Sequence, residues 1–564
     1  MRAAHPRLAS IVLILALALA GCSGESSESL LQQAQASLKT GDTKTALIQL
    51  KSAVQADTEN GAARFELAQL QLNLGDFASA EKELVRAKQL GLPTEHVYPL
   101  LARALNGQNA FTRVIDEIPR PAAGSTGEAT LLVAIAQAEL STRDVDAARA
   151  SLARASTIAP QDADVLLGLA KLALADSDVP KSLQILDDSL KLNPRHPDSW
   201  FLKANLLLAT GQAAEAVRAF RTVIDIDSRR SAARLALANI ALAENRPEEA
   251  RSEASAVLKI IPNHPEAGYI LAVLDQRDNK FEAARDRLAN VLKAAPDYAP
   301  ALLLAGTAEY ALGNLQMAET HLNKALKANP RHPIVLRILA ATKLRQGQAD
   351  EATRLLARIP AEAQDAAFHI IAGETALAQK DFSKSSKHFE QAAKLNPDNA
   401  DIRTQLGLAR LAQGDTRAIA DLQAASNLDG DNDRADSLII LNQLQKKQFD
   451  DALASIARLE KKTQPSPLSW NYRGAAQLGK KEIGKARSSF EQALKLNPGF
   501  FPAAANLAQL DLQDNQEELA RLRFEGVLKA NPKNINAMMA LAELALSKKD
   551  TKNHVAWLDK AMKT

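Results

Sequence analysis

The pattern of apolar and polar residues in this 564-residue chain repeats about every 34 residues. Within each repeat, small and large apolar side chains recur at spacings of four, seven and eight, which places them on one face of a helix. Prolines mark the period most plainly, because a proline cannot continue a helix: Pro160, Pro194, Pro262, Pro296, Pro330, Pro397, Pro498 and Pro532. A period of this length predicts a helix–turn–helix unit that is stacked many times, since one unit alone cannot bury its apolar face.

Small residues mark where the two helices of each repeat approach most closely. We number a repeat from the start of its first helix, helix A, so that the proline falls at position 32. Position 8 on helix A is small: Ala170, Ala204, Ala238, Ala272, Gly306, Ala340, Gly373, Gly407, Gly474, Ala508 and Ala542. Position 20 on the second helix, helix B, faces it and is again small: Ala148, Ser182, Ala216, Ala250, Ala284, Ala318, Ala352, Ala452, Ala486 and Ala520.

Two further positions complete the pattern. Position 24 on helix B is large and apolar and is predicted to fill the space between repeats: Leu186, Phe220, Leu288, Leu322, Leu356, Phe389, Ile456, Phe490, Phe524 and Leu558. Position 15, in the turn after helix A, is often glycine or asparagine, which tolerate the left-handed conformation that ends a helix: Gly75, Gly211, Asn245, Asn279, Gly313, Gly347 and Gly414.

These positions together resemble the tetratricopeptide repeat. The resemblance implies an all-α protein, a right-handed superhelical solenoid of about sixteen helix–turn–helix units that starts near residue 26. Solenoids of stacked repeats present extended concave surfaces for binding. A chain of this kind is therefore expected to bind a partner.

The period is least regular at 107–127, where proline and glycine predict a loop over 119–127. This loop either separates N-terminal units, 30–118, from a main superhelix, 128–564, or is one longer turn, which we favour. Shorter slips of the period are expected at 359–365, 429–433 and 461–467.

Residues 1–21 predict a lipoprotein signal peptide. Arg2 and Arg7 precede an apolar run that is too short to span a bilayer permanently. The sequence Leu-Ala-Gly-Cys that ends at Cys22 resembles a lipobox, which implies a diacylglyceryl group on Cys22. An ordinary secretory signal is the alternative, but Cys22 is the only cysteine of the chain, which favours the lipobox. Residues 22–29 then form a lipidated polar tether.

Charge and composition exclude several function classes. Without the two arginines of the signal peptide, the net charge falls from +3 to about +1, so the basic face that nucleic-acid binding requires is missing. A single cysteine excludes an intramolecular disulfide. The sequence contains no nucleophile elbow, no phosphate-binding glycine loop and no convergent carboxylate pair. We therefore predict that the protein is not an enzyme and uses no cofactor.

Three histidines recur two repeats apart: His196, His264 and His332. A ladder of metal sites is one interpretation, but helix diameters of about 8–10 Å keep these residues too far apart for shared coordination. Each histidine precedes a proline, so we predict that each caps the helix that follows, and we predict no metal site. His321 and His388, at position 23, are expected on exposed surfaces of B helices.

The surface that the A helices line is the candidate binding site. Positions 2, 5, 9 and 12 are expected to face a concave groove, where aligned asparagines hold the backbone of an extended peptide and aromatic residues fill side-chain pockets. The candidate residues are Phe201, Asn205, Leu235, Asn239, Tyr269, Val273, Leu303, Thr307 and Tyr310. Alternatively, positions 5 and 12 only complete the core between neighbouring A helices, and the sequence leaves both interpretations open.

Four segments resemble one family in particular: TALIQLKSAVQ at 45–55, GDFASAEKEL at 75–84, PLLARAL at 99–105 and PDYAPALLLAG at 296–306. They are similar to the tetratricopeptide lipoproteins of PEP-CTERM/exosortase systems. The resemblance implies an envelope lipoprotein that is linked to exopolysaccharide production and surface-protein sorting.

The sequence thus predicts a membrane-anchored scaffold that holds a protein partner in its groove. Ser23, directly after Cys22, implies by analogy with Gram-negative lipoproteins that the lipid lies in the outer membrane, with the chain facing the periplasm. An assembly factor that binds extended segments of outer-membrane clients is the alternative. Polysaccharide contact is less favoured, because sugar-binding grooves usually present more aromatic side chains.

Overall fold

The structure, a computed structural model, describes residues 25–428 and 433–564. These residues form 32 α-helices and one short 3₁₀-helix, and they contain no β-strand. Odd-numbered helices are A helices and even-numbered helices are B helices, so the described chain holds sixteen A–B pairs in order. The all-α repeat architecture that the sequence predicts is confirmed.

Contacts divide the chain between Leu274 and Asp275 into two compact units. Unit 1 contains α1 (Ser27–Lys39), α2 (Thr43–Ala56), α3 (Gly61–Leu74), α4 (Phe77–Gln89), α5 (Thr94–Gly107), α6 (Phe111–Glu117), α7 (Glu128–Ser141), α8 (Val145–Ile158), α9 (Ala163–Ala175), α10 (Val179–Leu192), α11 (Pro197–Ala209), α12 (Ala213–Ile226), α13 (Ser231–Ala243) and α14 (Pro247–Ile260). The division falls within α15 (Pro265–Arg277).

Unit 2 begins with the last residues of α15 and continues the same alternation. It contains α16 (Phe281–Ala294), α17 (Ala299–Ala311), α18 (Leu315–Ala328), α19 (Pro333–Arg345), α20 (Ala349–Leu356), the 3₁₀-helix (Ala361–Ala363), α21 (Ala366–Ala378), α22 (Phe382–Leu395), α23 (Ala400–Gln413), α24 (Ala418–Leu428), α25 (Arg434–Gln445), α26 (Phe449–Thr463), α27 (Pro467–Gly479), α28 (Ile483–Leu496), α29 (Phe501–Gln513), α30 (Glu517–Ala530), α31 (Ile535–Ser547) and α32 (Thr551–Met562).

Positions 8 and 20 are where the helices of a repeat pack most tightly. Ala204 on α11 and Ala216 on α12 are both 0% exposed. Where position 8 is glycine, no side chain fits without a shift: a Cβ atom on Gly306 would lie 2.6 Å from Cγ of Leu322. The small residues are therefore required by the close approach of helices A and B, as predicted.

The large residue at position 24 lies in the core of nearly every repeat. Phe220, Phe389 and Phe490 are fully buried and are among the largest such side chains of the described residues. Leu558 differs, because it is only half-buried and α32 has no buried residue.

The turn after helix A is left-handed in every described repeat, not only where glycine or asparagine occupies position 15. Positive φ angles of 57–80° occur at this position also for charged and other side chains, among them Arg143, Ser177, Lys380, Lys447, Lys481 and Lys549. Packing of helix A against helix B therefore imposes the conformation, although it is costly for side chains that carry a Cβ atom.

These turn residues also show where the period is kept. Asn109 and Arg143 are 34 residues apart, as are Lys447 and Lys481. The period therefore does not slip at 107–127 or at 461–467, and both of these expectations were wrong. Gly347 and Lys380 are 33 residues apart, as are Gly414 and Lys447, so the other two slips are confirmed.

The loop over 119–127 keeps the period because it replaces the second half of a B helix. Helix α6 has only 7 residues, and no helix occurs at 119–127. Two buried carboxylates hold the loop: Glu139 pairs with Arg120, and Glu128 accepts a hydrogen bond from the backbone N–H of Gly124 at 2.6 Å. The loop is thus tied to α7, which directly follows it.

Buried polar side chains at position 11 add contacts within several repeats. Asp511 on α29 is 0% exposed and lies 3.1 Å from the guanidinium of Arg523 on α30. Asp275 is likewise buried and lies 2.5 Å from Arg287 on α16. Such charge-assisted bonds fix the register of helix B against helix A, because a buried carboxylate without a partner is costly.

Candidate functional site

The A helices form the inner layer of each unit. Neighbouring A helices contact each other in unit 1, as α3 does α5, and in unit 2, as α17 does α19. No B–B pair of the described residues makes contacts of comparable extent. Because helices that lie closer together occupy the inside of a curve, the exposed side of the A helices is the concave side within each unit.

Position 9 of helix A presents one side chain per repeat on this inner side. In unit 1 the residues follow one another at intervals of 34 and are polar until the last: Gln35, Gln69, Arg103, Gln137, Lys171, Asn205, Asn239 and Val273. All are exposed or half-buried. We call this the position-9 row. Its spacing of one residue per repeat matches the arrangement expected for contacts along an extended chain.

The two candidate asparagines lie in this row. Asn205 is exposed, and its Nδ2 donates a hydrogen bond to the carbonyl of Phe201, 2.9 Å away on the same helix. Asn239 is also exposed, and its Nδ2 donates to Oε1 of Glu266 on α15 at 2.7 Å. Each carboxamide oxygen has no hydrogen bond within the described residues, so each is open to accept one from a peptide N–H group.

The other candidates of unit 1 are less accessible. The ring of Phe201 packs edge-on against Phe220 at 5.8 Å, and the guanidinium of Arg230 covers it at 5.2 Å. Leu235 is only 8% exposed and belongs to the core of α13–α15. Tyr269 and Val273 are half-buried.

The three candidates of unit 2 lie on α17. The hydroxyl of Thr307 donates to the carbonyl of Leu303 at 2.9 Å, and Leu303 packs partly against the core. The guanidinium of Arg345 covers the ring of Tyr310 at 4.9 Å and donates to its carbonyl at 3.0 Å. Two of the three aromatic candidates, Phe201 and Tyr310, thus carry a cation of the same unit on one ring face.

Charged residues surround the polar row at α9 and α11. Nε2 of His196 lies 3.1 Å from Oδ1 of Asp164, and Arg230 pairs with Asp198 at 2.5 Å. Lys171 lies near both carboxylates but forms no hydrogen bond with any described residue. Burial lowers the pKa of Lys171, while Asp198 and Asp164 oppose that shift. Its ammonium group is therefore only partly compensated.

The histidines at the repeat junctions cap helices, as predicted. The backbone N–H of Ser199 donates to Nδ1 of His196 at 3.3 Å, and that of Val335 donates to Nδ1 of His332 at 3.4 Å. His264 has the same geometry with Ala267 at 3.5 Å. Among the described residues, histidine, aspartate and glutamate form no group of three or more that has metal-site geometry.

Two other histidines are not on exposed surfaces, contrary to expectation. His388 is half-buried, and its Nδ1 lies 3.1 Å from Nδ1 of His369 on the neighbouring helix. His321 is also half-buried, and its Nδ1 has no partner within the described chain. His369 lies on helix A of the same repeat as His388, so position 23 contacts helix A in this repeat instead of facing solvent alone.

A polar cleft of about 310 Å³ lies in unit 2 and is lined by residues of α18, α19 and α20. Lys343 is one of the lining residues, and its Nζ lies 2.7 Å from Glu319 and 3.1 Å from Glu351. These charges already satisfy one another, so the cleft offers a ligand little unpaired charge.

The lipidation site that the sequence predicts, Cys22, lies outside the described residues. Across 25–428 and 433–564, no helix is both long enough and apolar enough to cross a membrane.

The candidates from the sequence include four residues at position 9: Asn205, Asn239, Val273 and Thr307. They do not include Lys171 in unit 1 or Glu374, which occupies the same position in unit 2. Both are ionisable, half-buried and without a hydrogen bond to a described residue. The signal was present in the sequence, because Lys171 lies 34 residues before Asn205. Following position 9 through all repeats would have found both.

Two sequence profiles, each described as tetratricopeptide repeat, match most of the chain. The first matches 37–104, 139–206, 207–274, 276–341, 309–372 and 477–544, and the second matches 372–432 and 439–499. This repeat fold is generally a non-catalytic scaffold, and no enzyme family is indicated. A search of curated protein sequences finds no match to the chain.

Three solved structures illustrate the likeness of fold. The Cut9–Hcn1 hetero-tetramer of the APC/C is 18% identical over 95% of this chain and 99% of its own, with a TM-score of 0.30. Naa15/Naa10 bound to HypK-THB is 16% identical over 95% and 93%, with a TM-score of 0.32. YrrB, a repeat protein with an unusual peptide-binding site, is 19% identical over 33% and 95%, with a TM-score of 0.29. Likenesses at this level carry no argument about function.

Proposed function

Because the chain belongs to the tetratricopeptide-repeat family, whose members bind proteins or peptides, we propose that it is a scaffold that holds an extended segment of a partner protein against its A helices. One observation carries the proposal: the polar row of unit 1, with one exposed or half-buried side chain per repeat from Gln35 to Asn239. Carboxamides at regular intervals can accept and donate hydrogen bonds along a peptide backbone without demanding one sequence. Leu208 at position 12, which is 37% exposed, and half-buried residues such as Tyr269 at position 5 add apolar contact area beside the row.

The scaffold is anchored to a membrane of the bacterial envelope through a lipid on Cys22. The lipobox around this residue supports the anchor, since two or more acyl chains, at about 0.8 kcal/mol for each buried CH₂, hold a protein firmly on a membrane. Ser23 supports sorting to the outer membrane, with the repeats in the periplasm. Replacement of Cys22 by alanine should leave uncleaved or soluble protein, and unchanged membrane fractionation would contradict the anchor.

The partner belongs to an exopolysaccharide and PEP-CTERM protein-sorting system. This part of the proposal is supported by the resemblance of segments such as 45–55 and 296–306 to lipoproteins of those systems. Genes for polysaccharide synthesis beside this gene would support it further. Genes for outer-membrane assembly in that place would instead favour a factor that binds extended outer-membrane clients.

Photocrosslinking in cells tests the binding surface. A photoreactive residue placed at Asn205 or at Asn239, on the inner side of unit 1, should capture a protein of defined mass. The same residue at Arg218 on α12 or Lys259 on α14, both exposed positions on B helices, serves as the matched control. Capture only from the B helices would show that the outer surface binds the partner and that the proposal is wrong.

A further inference from the structure

The position-9 row changes its chemical character in unit 2. Its members from α17 to α27 are Thr307, Ala341, Glu374, Leu408, Leu441 and Ala475. Glu374 is the only ionisable residue among these six, and Leu441 is 47% exposed. The polar row of unit 1, which holds five carboxamides and two cations, is thus followed from α17 to α27 by a mainly apolar row with one carboxylate. The row is polar again beyond α27, at Gln509 and Glu543.

A second row, at position 12, makes the inner side of unit 2 still more apolar. Seven consecutive repeats carry leucine there: Leu344, Leu377, Leu411, Leu444, Leu478, Leu512 and Leu546. The first five are half-buried, while Leu512 and Leu546 are 39% and 55% exposed. We call the residues at positions 9 and 12 of the A helices from α19 to α27 the leucine strip. Leu512 and Leu546 lie beyond it, on α29 and α31.

Exposed large apolar side chains on A helices are concentrated in unit 2. Among the described residues, unit 1 has one such side chain, Leu208, whereas unit 2 has six: Ile334, Leu441, Leu512, Ile535, Met539 and Leu546. Scattered exposed leucines are ordinary, but an aligned apolar surface marks a site of interaction. Three of the six, Leu441, Leu512 and Leu546, occupy positions 9 and 12, and Leu441 lies within the leucine strip.

Glu374 is an unpaired charge within this strip. Its side chain is half-buried, and it forms neither a hydrogen bond nor an ion pair with any described residue. Burial raises the pKa of Glu374, and only Arg434 on α25 attracts the carboxylate from a distance. A carboxyl group that is desolvated without a partner costs stability, which a cation from outside would restore.

We propose that the leucine strip binds an extended segment of the partner protein in which a lysine or arginine side chain, paired with Glu374, is flanked by apolar residues. This inference rests on the proposed function and adds a second recognition surface to it. The methylene groups of the basic side chain would lie on the neighbouring leucines, while its charged end reaches the carboxylate. An acidic segment would meet an unfavourable like charge at the same place.

The geometry also predicts the spacing of the segment. Packed helices lie about 8–10 Å apart, and an extended peptide advances about 3.3 Å per residue. Successive members of the row therefore meet about every third residue of the ligand. The basic residue opposite Glu374 should be followed, three and six positions away, by apolar residues that meet Leu408 and Leu441.

Binding of a synthetic peptide to the purified full chain tests the inference. The probe is acetyl-Leu-Ser-Ser-Lys-Ser-Ser-Leu-Ser-Ser-Leu-amide with a fluorescent label, and its affinity is measured by anisotropy. The Glu374→Gln variant, which keeps the shape but removes the charge, should bind about tenfold more weakly, as expected for loss of one charge-assisted pair. Glu543→Gln changes an exposed residue of the same row on α31 and should bind as the natural chain does.

A second peptide, with glutamate in place of lysine, checks the sign of the charge. It should bind the natural chain more weakly than the lysine peptide, and Glu374→Gln should narrow that difference. Equal affinity of the two peptides, equal affinity of the natural chain and the Glu374→Gln variant, or no binding at millimolar peptide would overturn the inference. Crosslinking at Asn205 and Asn239 tests the proposed function separately, because those residues belong to the polar row of unit 1.

Discussion

A single added methyl group tests the tightest contact of the repeat. A Cβ atom on Gly474 would lie 2.5 Å from Cε1 of Phe490, which is 0% exposed. Gly474→Ala should therefore lower the free energy of unfolding of α27 and α28 by about 1–3 kcal/mol, because the fully buried ring of Phe490 has no room to move aside. Hydrogen exchange of these helices during urea unfolding measures the change.

Gly484 provides the matched control for that substitution. It lies in α28, one helix away, and a Cβ atom there would meet nothing within 4 Å. Gly484→Ala should leave the free energy of unfolding unchanged or raise it by less than about 0.5 kcal/mol, because alanine is the better helix former but Gly484 is only the second residue of α28. If both variants behaved alike, the close approach at position 8 would not be what excludes side chains there.

We expect the charge of Lys171 to reduce the stability of the free protein. Because burial lowers the pKa of its ammonium group and no described residue accepts a hydrogen bond from it, Lys171→Met should leave the midpoint of thermal unfolding unchanged or raise it. Lys203→Met is the control, since Nζ of Lys203 pairs with Asp187 at 2.5 Å. That control should lose up to about 1 kcal/mol.

Photocrosslinking from Asn205 then tests whether the ammonium group of Lys171 also contacts the partner. If its charge contacts the partner, Lys171→Met should reduce crosslinking from Asn205 although the variant is no less stable. A fall in thermal stability of Lys171→Met would instead show that the ammonium group is satisfied in the free chain.

At the residue scale, the sequence predicted which side chains lie in the core better than it predicted which side chains are accessible to a partner. Ala204, Ala216 and Phe220 could be assigned to the core because each packs against a neighbour at a fixed spacing. The accessibility of Phe201 could not be predicted, since Arg230, which covers its ring, comes from the junction that follows α12. A pattern derived from single repeats does not predict contacts between side chains of two different repeats.

At the scale of elements, α21 and α22 share a contact that responds to pH. His369 and His388 face each other across these helices, and the ring of Phe368 packs edge-on against both. Burial lowers the pKa of both imidazoles; His369 further lowers that of His388, while Asp365 opposes the shift at His369. The folded repeat therefore binds fewer protons than the unfolded one.

The sign of the pH effect follows from that difference. Stability of α21 and α22 is fully present above the unfolded histidine pKa of about 6.5 and is lost as the pH falls below it. Hydrogen exchange should show less protection of these helices at pH 5 than at pH 7, and His388→Gln should reduce the contrast. His96→Gln, at an exposed position of α5, should not. Greater protection at pH 5 would contradict the depressed pKa values.

Two shortened B helices show the limit of prediction at this scale. Proline and glycine correctly indicated the loop that follows α6, and the residues near Pro360 indicated the end of α20. The sequence also indicated the slip at 359–365, which shortens the period to 33, but it did not reveal that the first loop preserves the 34-residue period. That outcome depends on how the loop is held, as Glu128 and Glu139 hold 119–127, and such contacts involve residues far apart in sequence.

At the scale of the whole molecule, the number of repeats was predictable and the division into units was not. Sixteen left-handed turns follow from a period that the prolines already display. The division between Leu274 and Asp275 falls inside α15, and no proline or glycine stands at that point of the helix. The position-9 row nevertheless changes there, since it is polar through Asn239 and mainly apolar from Val273 to Ala475. A change of surface chemistry along a constant repeat is thus the sequence feature that accompanies the division.

The last prediction concerns how far the loss of stability caused by one core substitution extends along the chain. Ala238 on α13 is 0% exposed and lies in the same core as Ala250 and Ala254 of α14. Ala238→Leu should overpack this interface and cost about 1–3 kcal/mol. Because each repeat contacts mainly its neighbours, the loss of protection against hydrogen exchange should be confined to α11–α15.

Ala243→Leu is the control, because it makes the same chemical change at an exposed position of the same helix. It should leave exchange unchanged along the chain. In the Ala238→Leu variant, helices of unit 2 such as α27 and α28 should exchange as they do in the natural protein, since their cores contain no residue of α13 or α14. Equal loss of protection from α1 to α32 would mean that the chain unfolds as one cooperative body, and the description of its stability as a sum of neighbouring repeats would then be wrong.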